Sequence, residues 1–128
     1  MSSYPHPLMK TFIAGADLST KQYHFVKVSS SDDKKVELAG SNGKSVGILM
    51  NAPNSGEPAE VALPGGGGKL KMDEAAATGK YITSSTSSQG EVADAAGEHV
   101  GAYMMGSAAD GDIAEVMVTC FEAYNSDA

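Results

Sequence analysis

The 128-residue chain has no tryptophan, no arginine, one cysteine and three histidines. Without arginine there is no planar guanidinium fork for phosphates or base edges, which argues against nucleic-acid binding. The lone Cys120 excludes an intrachain disulfide and a thiolate metal cluster, and in "VMVTCFEAY" it reads as a buried, inert thiol. His6, His24 and His99 show no paired metal-ligand spacing and read as surface residues. No Gly-x-Ser-x-Gly elbow occurs among the many serines. The sequence thus offers no catalytic residues, no cofactor site and no metal site. No apolar run approaches the length of a membrane span, and "MSSYPHPLMK" lacks a basic segment followed by an apolar one. The expectation is a soluble protein made in a cytoplasm, without membrane contact.

What is present is acidic and rich in small residues. Sixteen carboxylates against nine lysines give a net charge of −7. Such a surface keeps a protein soluble and equally complements a basic patch on a partner, and the two readings are not separable by composition. At this length one domain with a real core is possible.

Two glycine-lysine stretches invite a phosphate-cradle reading. "GSNGKS" ends like a phosphate-binding loop, but the glycine required five residues before Gly43 is Leu38, and "VGILMN" after it reads as a strand. Asn42-Gly43 is better read as a hairpin turn. "LPGGGGKLKM" has no Ser or Thr after Lys69 and reads as a flexible loop before a strand. "ADGDIAE" offers Asp110, Asp112 and Glu115 but lacks the other ligands of a calcium loop, so Asp110-Gly111 is taken as turn chemistry.

Residues 1–20 show no periodicity, and Pro5 and Pro7 flank His6, so an extended arm is expected there. From residue 21 onward short strands alternate with turn signals: "QYHFVKV", "KKVELA", "SVGILMN", "AEVALP", "GKLKM", "KYITSS", "GEVADA", "HVGAYMM" and "DIAEVMVTCF". The polar "TSSTSSQG" between two of them reads as a loose hairpin tip. Only "MDEAAATG", residues 72–79, has a helix-like composition.

The halves repeat one another. Val46-Gly47 and Met50 match Val100-Gly101 and Met104 at one offset, and Ala59-Glu60-Val61 matches Ala114-Glu115-Val116 after a one-residue insertion. Upstream, "VELAGSNGKSVG" lies over "VADAAGEHVG". Chance agreement of short apolar segments is the competing explanation. The expectation is an all-β fold with a minor α component, a small β-barrel or β-tulip-like domain over 21–128. It would be built from half-repeats 21–72 and 73–121 behind the N-terminal arm.

With that pattern, the chain resembles the small capsid decoration, or cement, proteins of tailed bacteriophages. The resemblance spans residues 14–121 and rests on "AGADLSTKQYHFVKV", "VGILMNAPNSGEPAEV", "AAATGKYITSSTSSQGEVADAAGEHVGAYM" and "ADGDIAEVMV". The four-glycine run and the Pro-His-Pro arm depart from the family pattern. The resemblance implies a non-enzymatic protein on the outer surface of an icosahedral head, commonly a homotrimer. It would bridge major capsid protein subunits and stabilise the shell in the virion, after synthesis in the host cytoplasm. The arm is then the candidate docking element: residues 1–20 would add as a strand to a capsid edge and gain backbone hydrogen bonds there, with Tyr4, Pro5, Pro7, Leu8 and Phe12 as the partner-binding anchors. A terminus without function is the plain alternative for the arm. A β-rich adhesion or glycan-binding module is the alternative for the whole chain.

Overall fold

The computed structural model describes residues 8–41, 43–94 and 97–122, and these contain ten strands and no helix. Strands β1 (Met9–Ala14), β2 (Phe25–Val28), β3 (Lys35–Leu38), β4 (Gly47–Leu49) and β5 (Pro58–Ala62) close into a barrel in the order β1-β3-β2-β4-β5. Strands β6 (Gly67–Lys71), β7 (Tyr81–Ser84), β8 (Gly90–Val92), β9 (His99–Met104) and β10 (Ile113–Glu122) form a second sheet in the order β6-β10-β9-β7-β8.

Both sheets obey one pairing rule. In each, the first strand pairs with the fifth, the fifth with the fourth, the fourth with the second and the second with the third, all antiparallel. The third then returns to the first in parallel. In the barrel this closure is Ile13↔Lys35 and Ala14↔Val36; in the second sheet it shrinks to the single bridge Met72↔Gly90. The sequence matches fall on equivalent strands, Gly47 opening β4 and Gly101 lying in β9, with the Ala-Glu-Val segments in β5 and β10. Each unit begins one strand earlier than residues 21 and 73, at β1 and at β6.

The extended arm expected over 1–20 therefore requires correction. Residues 9–13 pair with β5, and Phe12 and Ala14 point into the barrel core. Proline stops at position 7, and past it the alternation of a strand takes over, which the proline-rich start conceals. Residues 1–7 lie outside the described residues.

Residues 72–79 form no helix. Met72 is fully buried and bridges Gly90, while Ala76 exchanges backbone hydrogen bonds with Ala108 at 3.0 Å. Those tertiary partners outweigh the mild helix propensity of a three-alanine run. Gly67 and Gly68, expected in a loop, begin β6; an added Cβ on Gly68 would meet Val118 Cγ2 at 3.2 Å.

The "GSNGKS" segment is not a hairpin. Strands β3 and β4 flank β2 on opposite sides, so residues 39–46 cross over the end of β2, held by Ala39 N donating to Phe25 O and Val46 N donating to Val26 O. Gly43 is required because its Cβ would fall on the Ala39 carbonyl oxygen. Asn42 lies outside the described residues.

Two cores share the barrel wall. Phe12, Ala14, Leu18, Val26, Val36, Leu49, Ala59 and Val61 fill the barrel. Phe25, Ile48 and Ala62, adjacent in sequence to Val26, Leu49 and Val61, point the other way and join Leu70, Met72, Ile82, Met104, Val116 and Val118 of the second half. Strands β2, β4 and β5 are thus covered on both faces, which explains their nearly continuous apolar runs. Burying Phe25 completely contributes about 1.5–3 kcal/mol by transfer from water alone.

The serine-rich tip between β7 and β8 is a hairpin, as expected, but it is not loose. Ser84, Ser85 and Ser88 are buried, and Ser88 joins the halves: its Oγ accepts from Gly40 N at 2.9 Å and its carbonyl from Phe25 N at 2.7 Å.

Candidate docking surface

The N-terminal candidates separate when placed on the fold. Tyr4, Pro5 and Pro7 lie outside the described residues. Leu8 is 46 % exposed, and so is its neighbour Met9 at 42 %, both at the open end of β1. Phe12 is 7 % exposed and belongs to the barrel core, with Lys10 Nζ 5.4 Å above its ring. The pairing register turns it inward and leaves it no surface for a partner. Strand β1 also has an unmatched side. It pairs with β5 along residues 9–13 but with β3 only at Ile13 and Ala14, so no described strand covers residues 9–12 on that side. Free backbone donors and acceptors beside exposed Leu8 and Met9 form an edge to which another strand can add.

A second exposed feature lies on the other sheet. Tyr81 of β7 stands opposite Tyr103 of β9 in register, with ring centroids 5.8 Å apart, and Phe121 of β10 meets Tyr81 edge-on at 5.2 Å. The three rings are 49 %, 36 % and 41 % exposed. Phe121 follows a bulge between Val118 and Phe121, where β10 gains one residue on β9 and the end of the strand is re-aimed. Tilted and edge-to-face contacts hold the rings in place at about 0.5–1.5 kcal/mol per pair beyond area burial. The outer surfaces remain open to water. Rigid, clustered aromatic rings on a surface are the usual anchors of protein contacts. Position 81 becomes a neighbour of 103 only through the strand order, since β8 intervenes in sequence, so no local signal announced the cluster.

Two other chemistry-capable side chains exchange their expected settings. His24, expected at the surface, is buried at 4 % exposure. Cys120, expected buried, is exposed within the β10 bulge, its Sγ 4.0 Å from the Ser45 carbonyl oxygen. Burial holds the imidazoles of both His24 and His99 below their ordinary pKa. His6 lies outside the described residues. Burial, reinforced by the nearby carboxylates of Glu74, Glu98, Asp73 and Asp94, raises the pKa of Glu91. Among the described residues no group of three or more His, Cys, Asp or Glu could hold a metal ion. Asp110 and Asp112 sit in a turn, with Gly111 at φ +87° and Asp112 Oδ2 accepting from Ala109 N at 3.1 Å.

No protein-family model matches the chain, and no curated protein matches it. Among solved structures it is similar to the N-terminal base of the head fiber gp8.5 of bacteriophage phi29, a crystal structure, with a TM-score of 0.70 at 16 % sequence identity. The similarity covers 88 % of this chain and 93 % of that one. At that identity it is a likeness of fold, and it takes in nearly all of both chains.

Proposed function

We propose that the protein is a structural component of a tailed-bacteriophage head, bound to the outer surface of the shell. The observation that carries this reading is the near full-length fold likeness to a phage head-fiber base. It agrees with the resemblance of the sequence to capsid decoration proteins, which rests on different features. In the finer form of the proposal, the protein binds the major capsid protein as a homotrimer, bridges neighbouring subunits and stiffens the shell without performing chemistry.

Two surfaces suit this role. The open edge of β1 with Leu8 and Met9 offers strand addition, and Tyr4, Pro5 and Pro7 are proposed as further anchors on the partner. The Tyr81, Tyr103 and Phe121 cluster offers apolar anchoring. Repeated engagement on a lattice raises the effective concentration of each further contact, so no single contact has to be strong.

The test is to mix purified protein with undecorated, expanded heads. Stoichiometric co-sedimentation and a raised disruption temperature are expected; failure of both overturns the proposal. A variant lacking residues 1–7 retains the whole of β1 and isolates the terminal segment. A Tyr103→Asp, Phe121→Asp variant isolates the aromatic cluster. At least one of them should bind heads about tenfold more weakly while unfolding like the parent.

A further inference from the structure

Where the halves meet, a groove of about 550 Å³ opens between the loop that precedes β2, the end of β6 and the β7–β8 tip. That volume is typical of a site for a small ligand. Its walls carry Lys21, Gln22, Tyr23, His24, Lys71 and Gln89, and among the described residues no carboxylate lines it. In a chain with sixteen acidic residues against nine lysines, a carboxylate-free groove bearing two ammonium groups is an inversion of the surface charge. Among the described residues neither Lys21 nor Lys71 has a carboxylate within ion-pairing distance.

The groove is held rigidly. Tyr23 occupies the left-handed region at φ +68°, unusual for a bulky side chain. It is pinned there by its N–H donating to Leu49 O at 2.6 Å and its carbonyl accepting from Lys71 N at 2.9 Å. His24 N donates to Lys21 O, and His24 O accepts from Leu49 N. The main chain of residues 23 and 24 is therefore fully engaged, and the groove presents side chains. His24 Nε2 lies 3.2 Å from Gln89 Nε2 and Nδ1 lies 3.1 Å from Gln22 O. The Gln89 amide donates to Nε2, which places the imidazole proton on Nδ1, donating to Gln22 O. Burial first, then the Lys21 and Lys71 charges, lower the His24 pKa and keep the ring in this neutral form, fixing the Gln89 carboxamide.

We propose that this groove binds an acidic saccharide, its carboxylate between Lys21 and Lys71, its hydroxyls on Gln22 and Gln89, and its apolar face against the Tyr23 ring. Ammonium groups supply attraction for the carboxylate. With one Gln22 amide hydrogen donated to Met50 O at 2.9 Å and one Gln89 amide hydrogen to His24, each carboxamide keeps its oxygen and its second N–H as the acceptor and donor that a polyol needs. An acidic peptide is less well served, because strand addition needs free main-chain groups and those of residues 23 and 24 are taken. The inference is independent of attachment to a phage head, since it concerns a different surface.

Titration of the isotope-labelled full chain with digalacturonate, followed by amide NMR, tests it. Saturable shifts are expected at residues 21–24, 71 and 89, with binding at least about tenfold tighter than for neutral digalactose and weakened by added salt. Lys21→Gln with Lys71→Gln should weaken binding about tenfold or more while leaving signals elsewhere unchanged. The proposal is overturned by absence of shifts up to the order of tens of millimolar, by equal affinity for digalactose, or by tetraglutamate binding as tightly. If the double variant does not fold, the acidic-against-neutral comparison on the parent protein decides.

Discussion

Residues 29–34 join β2 to β3 and residues 85–89 join β7 to β8, so the two loops hold the same place in the two halves, and both are rich in serine. The first lies in solvent, where Ser29 Oγ and Ser31 Oγ are 3.2 Å apart and Lys34 N donates to Asp32 Oδ1 at 3.0 Å. The second is folded under the barrel wall, with Ser85 Oγ accepting from Ser87 N and Gln89 N and Ser88 bonded to Gly40 and Phe25. Charge separates their fates. The first loop carries Asp32 and Asp33, which resist burial, whereas the second has only neutral polar side chains that can be hydrogen-bonded inside.

The same asymmetry marks the repeated Val-Gly pairs. An added Cβ on Gly47 falls on the Ala62 carbonyl oxygen of its own half, while one on Gly101 meets Phe25 Cε1 of the other half at 2.6 Å. One topology is thus used twice for different ends. The first copy encloses its own core, and the second completes its core with the outside of the first.

Four expected outcomes break or sharpen that comparison, in falling order of effect. Gly47→Ala drives a side chain into main chain that cannot yield, and should cost more than about 4 kcal/mol or abolish folding; urea unfolding that moves by less than about 1 kcal/mol would contradict the close approach. Phe25→Ala empties the shared core and should cost about 3–5 kcal/mol in the same assay. Ser88→Ala leaves the Gly40 N–H without its side-chain acceptor at a buried junction, and should cost about 1–3 kcal/mol, whereas Ser31→Ala in the equivalent exposed loop should stay within about 0.5 kcal/mol. Equal effects of the two serine substitutions would erase the distinction between the tips.

The smallest effect is that of pH. His24 and His99 have native pKa values below the ordinary 6.5. Below pH 6.5 the unfolded chain binds protons that the native state does not, so stability holds above that value and declines as pH falls beneath it. A melting temperature that drops modestly from pH 7.5 to pH 5.5 is expected, and one that rises over that interval would contradict the lowered pKa values of the buried His24 and the half-buried His99. Glu91 acts in the opposite sense at lower pH, because its raised native pKa favours the protonated native state around pH 4.5.

Much of this fold was legible in the sequence because its strands alternate and its turns are punctuated. All nine strands read from residue 22 onward are present, and the repeat read from Val-Gly and Ala-Glu-Val maps onto equivalent strands. What escaped was non-local. Strand β1 is defined by its pairing with β5, nearly fifty residues away, and sits directly after a proline-rich start. The helical reading of residues 72–79 followed alanine content, while the buried Met72 and the bridged Ala76 answer to partners elsewhere in the chain. The docking candidates take different places for the same reason: Leu8 is exposed, Phe12 is core, and the aromatic cluster exists only once β9 lies between β7 and β10.

Cryo-electron microscopy of expanded heads saturated with the protein tests the central claim most directly. The expected reconstruction carries a two-sheet, ten-strand density on the outside of the shell at regular lattice positions, touching major capsid protein through the β1 end or the aromatic cluster. Bare heads at saturating protein, or density confined to the interior, would contradict it.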